Sequence, residues 1–134
     1  MGHALQHHLE ALFNTNELRF ETQKVTEGKN KPDFLFPGQA EYYDQSFATA
    51  GLSMLAAKSS CKDRWRQILT EAMRIPRKHL CTLQPGISVD QTDEMRVQSV
   101  TLVVPAPLHI TYTLAQRNEM MSLNGFIAYV KELQ

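Results

Sequence analysis

Apolar positions come in short runs whose period changes along the chain. Leu5, Leu9, Leu12 and Phe13 recur at helical spacing and predict a helix over His3–Phe13, ended by Asn14 to Asn16. Leu18, Phe20 and Thr22 alternate, which predicts a strand over Leu18–Val25. Glu27-Gly28-Lys29-Asn30 reads as a turn leading to Phe34-Leu35-Phe36, a strand fenced by Pro32 and Pro37, so the two strands form an antiparallel hairpin. Residues 38–49 are polar and irregular and read as a loop. Gly51–Ala57 reads as a second buried strand.

Ser59 to Lys62 then connect to a helix over Asp63–Ile75 with an apolar stripe of Trp65, Ile68, Leu69, Ala72 and Ile75, stopped by Pro76. His79–Leu83 reads as a strand, Pro85-Gly86 as a turn, Asp90–Val97 as a weak helix and Val100–Val104 as a β-branched strand closed by Pro105. Residues 107–113 carry no clear period. Leu114–Leu133 is an amphipathic helix with Gly125 as its weak point. Strands and helices alternate from residue 51 onward, which implies parallel pairing through crossovers. The expectation is an α/β fold in one domain, a mixed sheet of about five strands flanked by helices.

Composition narrows the class. With 134 residues, 43% apolar and 21% charged, the chain can bury a proper core. No apolar run approaches the roughly 20 residues that span a bilayer, so no membrane partner is expected. The N-terminus lacks a basic-then-apolar signal pattern, and Cys61 and Cys81 are too few for a disulfide framework. A reduced, cytoplasmic protein is expected. A formal net charge of zero argues against a nucleic-acid binder, but its distribution does not. Between Lys58 and Lys78 lie seven basic residues and two acids, a net +5 that leaves −5 for the rest. Such a stretch can hold a phosphate backbone, though a solvated basic helix is the common alternative.

The chemistry centres on two charges that core strands do not require. Asp33 stands at the entrance of Phe34–Phe36 and Lys58 at the exit of Gly51–Ala57. A carboxylate and a lysine at the ends of neighbouring strands can share a divalent metal and a scissile phosphate. Alone, Asp33 reads equally well as a turn former and Lys58 as a solvated strand end. Lys62, Asp63, Arg64 and Arg66 follow at a helix start. Arginine forks suit guanine O6 and N7 and an acid suits cytosine N4, so a cluster of both signs fits G·C pairs in DNA. Trp65 belongs to the apolar stripe and hence to the core. The five histidines lack a supporting ligand arrangement and read as structural or exposed, and Cys61 as core or loop.

These residues also carry a resemblance. Lys31 to Pro37, Met54-Leu55-Ala56 with Lys58, Cys61-Lys62-Asp63-Arg64-Trp65-Arg66-Gln67-Ile68-Leu69 and Thr82-Leu83-Gln84 resemble the catalytic domain of EcoRII-type type II restriction endonucleases, within the PD-(D/E)XK nuclease group. Weaker similarity runs from Leu102 to Ala128. The resemblance implies a restriction-endonuclease-like fold and a Mg²⁺-dependent homodimer that cuts double-stranded DNA at a CC(A/T)GG-like site. The simplest members of the group place a second acid two residues before the lysine; here that position is Ala56. The resemblance assigns the missing carboxylate to Glu71, so Asp33 and Glu71 become the metal ligands and Asp33, Lys58 and Glu71 the catalytic set. It also matches Tyr42 to a site tyrosine, whereas from residues alone Tyr42 is as readily a loop aromatic packed on the sheet.

Two departures qualify the expectation. The family carries Gly-x-x-Leu-Glu-x-His-Leu in its first helix; this chain has Gly2-His3-Ala4-Leu5-Gln6-His7-His8-Leu9, so Gln6 keeps the shape without the charge. Glu10, one turn on, is a substitute. Relatives also carry DNA-contacting residues and an effector-binding domain upstream, so this chain reads as a minimal version, a fragment or a relic with relaxed site recognition. The rival expectation is a catalytically impaired DNA-binding remnant.

Overall fold

In the computed structural model, which describes residues 3–134 with the side chains of His3, Lys62 and Asp63 excepted, five strands pair in chain order. They are β1 (Glu21–Thr22), β2 (Phe34–Phe36), β3 (Ser53–Lys58), β4 (Lys78–Thr82) and β5 (Val100–Val103). β1, β2 and β3 pair antiparallel; β3, β4 and β5 pair parallel. The helices are α1 (His3–Thr15), α2 (Gln39–Tyr43), α3 (Val89–Val97), α4 (Leu114–Asn118) and α5 (Leu123–Leu133), with a 3-10 helix over Lys62–Thr70. The mixed five-strand sheet is the one the hairpin and the later alternation predict.

The pleat splits the core between two faces, because successive side chains on a strand point oppositely. Ala56, Leu80 and Leu102 are register partners across three strands and pack with Trp65, Ile68 and Met95. One residue on, Cys81 and Val103 pack beneath α1 and α5, against Phe13, Phe34, Phe36, Phe126 and Val130. Phe13 meets Phe34 and Phe36 edge-on at ring separations of 5.1 and 5.5 Å, the favoured aromatic geometry, worth about 0.5–1.5 kcal/mol per pair beyond the area removed from water. A third cluster, Leu35, Tyr42, Leu52, Met54, Ala72 and Ile75, covers the sheet beside β2.

Four elements depart from the sequence pattern by more than two residues. The strand over Leu18–Val25 shrinks to two residues, flanked by Glu17 and Gln23 at φ 60° and 54°. Residues 38–49 are not all loop: α2 forms there because Arg74 reaches across to its C-terminal carbonyls at Glu41, Tyr42 and Asp44. The helix over Asp63–Ile75 is a 3-10 helix that stops at Thr70. The single helix over Leu114–Leu133 breaks at 119–122, because Met121 is drawn into the sheet. Its N–H donates to Leu102 O at 2.9 Å and its carbonyl accepts from Val104 N at 2.8 Å. Ser122 then caps α5 through Gly125 N–H.

Candidate active site

Antiparallel pairing sets the entrance of β2 beside the exit of β3, since Phe34 pairs with Leu55 and Phe36 with Ser53. Asp33 and Lys58 therefore share one rim of the sheet. The Asp33 carboxylate is fastened there: Oδ2 accepts from Ala57 N at 2.7 Å and Oδ1 from Gln23 Nε2 at 2.9 Å. Asp33 and Lys58 are each half-buried.

Glu71 joins them because the 3-10 helix ends early. Its backbone is extended (φ −87°, ψ 144°), and Ala72 follows at φ 46°, a left-handed conformation costly for a residue with a Cβ. Inside a continued helix Glu71 would project with the helical stripe; the break delivers it to the rim. Burial, then the Asp33 charge, push its carboxyl up to about 7, while Lys58 and Lys78 pull it down. Glu71 Oε1 is buried and finds no hydrogen-bond partner among the described residues. The charges of Asp33 and Lys58 thus both reach the Glu71 carboxyl.

Side chains from the 26–30 turn and from α2 hold the segment that carries Glu71. Asn30 Nδ2 donates to Thr70 O at 2.9 Å, Ala72 N to Thr26 Oγ1 at 3.1 Å and Met73 N to Glu27 Oε1 at 3.1 Å. Arg74 N donates to Tyr42 Oη at 2.9 Å, and that hydroxyl donates to Glu27 Oε2. Burial and Glu27 hold the Tyr42 phenol well above its usual range. Burial also pushes Glu27 up, but hydrogen bonds from Tyr42, Thr26 and Met73 outweigh it and leave the carboxyl below its usual range. The Tyr42 ring is buried, as a loop aromatic packed on the sheet would be, and its hydroxyl is engaged by Glu27 and the Arg74 N–H of the segment that carries Glu71.

Of the basic cluster, the side chains of Lys62 and Asp63 lie outside the described residues. Arg64 is exposed. Arg66 is paired with Glu94 of α3 and laid over the Trp65 ring at 4.7 Å, with about half of its side chain exposed. Trp65 is fully buried, with Nε1 donating to Gln91 Oε1 at 3.0 Å. Gln6 is half-buried on α1. Sequence reasoning missed Thr26, Glu27, Asn30 and Lys78, since a turn and a basic stretch give no sign that they meet at residues 70–75.

Among the described residues, no group of three or more His, Cys, Asp or Glu could hold a metal by itself. Asp33 and Glu71 offer two carboxylates, one with a buried, unpartnered oxygen. An all-oxygen pair of this kind fits a hard divalent cation that keeps water and takes further ligands from a phosphate.

Comparison with known proteins decides the family. The EcoRII C-terminal family model matches residues 1–127. The chain belongs to the EcoRII C-terminal family. Type II restriction enzyme EcoRII of Escherichia coli is 54% identical over 128 residues, which is 95% of this chain and 32% of that protein. This EcoRII C-terminal chain thus spans about a third of the curated relative's length. Two solved structures share its fold. Metal-depleted Ecl18kI in complex with uncleaved, modified DNA superposes with a TM-score of 0.83 at 20% identity, over 98% of this chain and 44% of that one. The PspGI restriction endonuclease–substrate DNA complex gives 0.80 at 12% identity, over 98% and 60%. Among the described residues, no helix is long and apolar enough to cross a membrane.

Proposed function

We propose that this chain is the catalytic domain of a type II restriction endonuclease that hydrolyses phosphodiester bonds of double-stranded DNA with Mg²⁺. The reading is supported by Asp33 and Lys58 sharing one rim of the sheet, by the reach of both charges to Glu71, and above all by a buried carboxylate oxygen of Glu71 left unpartnered among the described residues. Asp33 and Glu71 would hold the cation. When bound, Mg²⁺ supplies Lewis-acid polarisation of the phosphodiester. The Lys58 ammonium orients the attacking water and opposes negative charge that grows on the phosphate oxygens. Family membership supports a CC(A/T)GG-like site, read by Lys62, Asp63, Arg64 and Arg66 in a homodimer with one half-site per subunit. Cys61 and Cys81 are both buried and, among the described residues, form no disulfide, which suits the reducing cytoplasm.

Incubation with plasmid and Mg²⁺ tests the reading. Cutting that requires Mg²⁺ and disappears in Asp33→Ala is expected; cutting that survives in Asp33→Ala would sink it. Duplexes with and without the site test recognition, and sedimentation tests the dimer. Gln6 favours a second reading, a DNA-binding remnant without cleavage, for which salt-sensitive binding would appear with no cutting.

A further inference from the structure

Lys78, the first residue of β4, is an unusual place for a cation: only 4% of it is exposed. A buried ammonium persists only where its charge and its donors are met. Here Nζ donates to Ala72 O at 2.8 Å and to Ile75 O at 2.6 Å. Those carbonyls belong to the turn that follows Glu71. Ile75 N also donates to Ala72 O at 2.9 Å, so the ammonium closes a loop already folded on itself. The turn contains Ala72 at φ 46°, a conformation that must be held by its surroundings. Thr26 and Glu27 take its N–H groups from one side while Lys78 takes its carbonyls from the other. Burial disfavours the Lys78 ammonium, while the charges of Glu27 and Glu71 favour it.

We propose that Lys78 is a positioning residue for the candidate metal site, pinning the turn so that the Glu71 carboxylate is presented toward Asp33. This rests on the reading of Asp33 and Glu71 as cation ligands. Two effects of Lys78 oppose each other in sign. Its positive charge alone weakens cation binding nearby, so its removal would tighten binding. Its hold on the turn orients Glu71, so its removal would loosen binding. The close contacts to two carbonyls make orientation the larger effect.

The test is Mn²⁺ binding, followed by electron paramagnetic resonance without DNA, in the wild type, Lys78→Met, Glu71→Gln and the double variant. Lys78→Met is expected to weaken binding by about 10-fold, the usual size for a group that orients a ligand. It should add nothing once Glu71 is Gln. Unchanged or tighter binding in Lys78→Met, or losses that add in the double variant, would overturn the proposal. Wild-type binding that Glu71→Gln leaves intact would overturn both this proposal and the metal reading. Glu71-dependent binding that ignores Lys78 would overturn this one alone. Where circular dichroism shows Lys78→Met unfolded, Lys78→Gln, which keeps one N–H donor without the charge, is read by the same criteria.

Discussion

The Asp33 carboxylate accepts the backbone N–H of Ala57 at 2.7 Å, so the acid at the entrance of β2 is tied to the strand that ends, one residue later, in Lys58. This bond lets a structural and a chemical role be separated. Asp33→Asn keeps an oxygen for the Ala57 amide and should hold stability within about 1 kcal/mol. Asp33→Ala leaves that amide unmet and should cost about 1–3 kcal/mol. Both should lose Mg²⁺-dependent cutting. Urea unfolding beside a plasmid assay checks the pair.

Two buried groups pull the pH dependence of stability in opposite directions. The Glu71 carboxyl rises from 4.5 to about 7 on folding. Between these values the native state binds the extra proton, so its contribution is full below 4.5 and is lost as pH rises through 7. His79 falls from 6.5 to about 4, because burial and then the Arg77 charge disfavour the imidazolium. Its contribution is full above 6.5 and is lost as pH falls through 4. In the metal-free wild type the two offset each other. Glu71→Gln should make stability climb from pH 4 to 7, and His79→Phe, packed on Phe126 and Tyr129, should make it fall. Thermal unfolding across that range measures both slopes.

Arg74 ties three segments together. Its guanidinium donates to the carbonyls of Glu41, Tyr42, Asp44 and Phe47 and to Thr49 Oγ1. Arg74→Ala should cost about 2–3 kcal/mol through unmet carbonyls at the end of α2. Arg74→Lys should recover less than half, because an ammonium cannot span the same fork of acceptors. Denaturant midpoints of the two variants decide this.

The two arginines of the basic cluster should separate in DNA binding. Arg66 shares its charge with Glu94, and both side chains are about half exposed, so Arg66→Ala should change stability by less than about 1 kcal/mol. Arg64→Ala should weaken binding to a duplex more than Arg66→Ala and lower the salt slope by about 1. Glu94→Ala, which frees the Arg66 charge, should strengthen binding. Titrations at several salt concentrations measure all three.

Period and punctuation were enough to read most of the architecture. Alternation around a turn marked β1 and β2, the β-branched run marked β5, and the helical stripe found Trp65 and Ile68 for the core. These are local signals, set by how often a side chain returns to the same face. Where the sequence misled, a distant partner had intervened. Leu114–Leu133 has a continuous helical stripe, yet Leu102 and Val104 take Met121 as a sheet neighbour and split it. Residues 39–43 look irregular until Arg74, more than thirty residues later, supplies a C-terminal cap.

By itself, then, the sequence determined which segments form strands, the antiparallel hairpin, the parallel pairing of the later strands, and the placing of Asp33 and Lys58 at strand ends. It assigned Glu71 only through family resemblance. The tertiary structure decided how Glu71 reaches the rim, by ending the 3-10 helix at Thr70 and forcing Ala72 left-handed. It also set the Tyr42 hydroxyl against the turn, and made Lys78 the buried cation that meets its carbonyls. The physical reason is range. Pleat and helix period act over a few residues, whereas the turn at 71–75 is held by hydrogen bonds from residues 26, 27, 42 and 78, which chain spacing alone does not bring together.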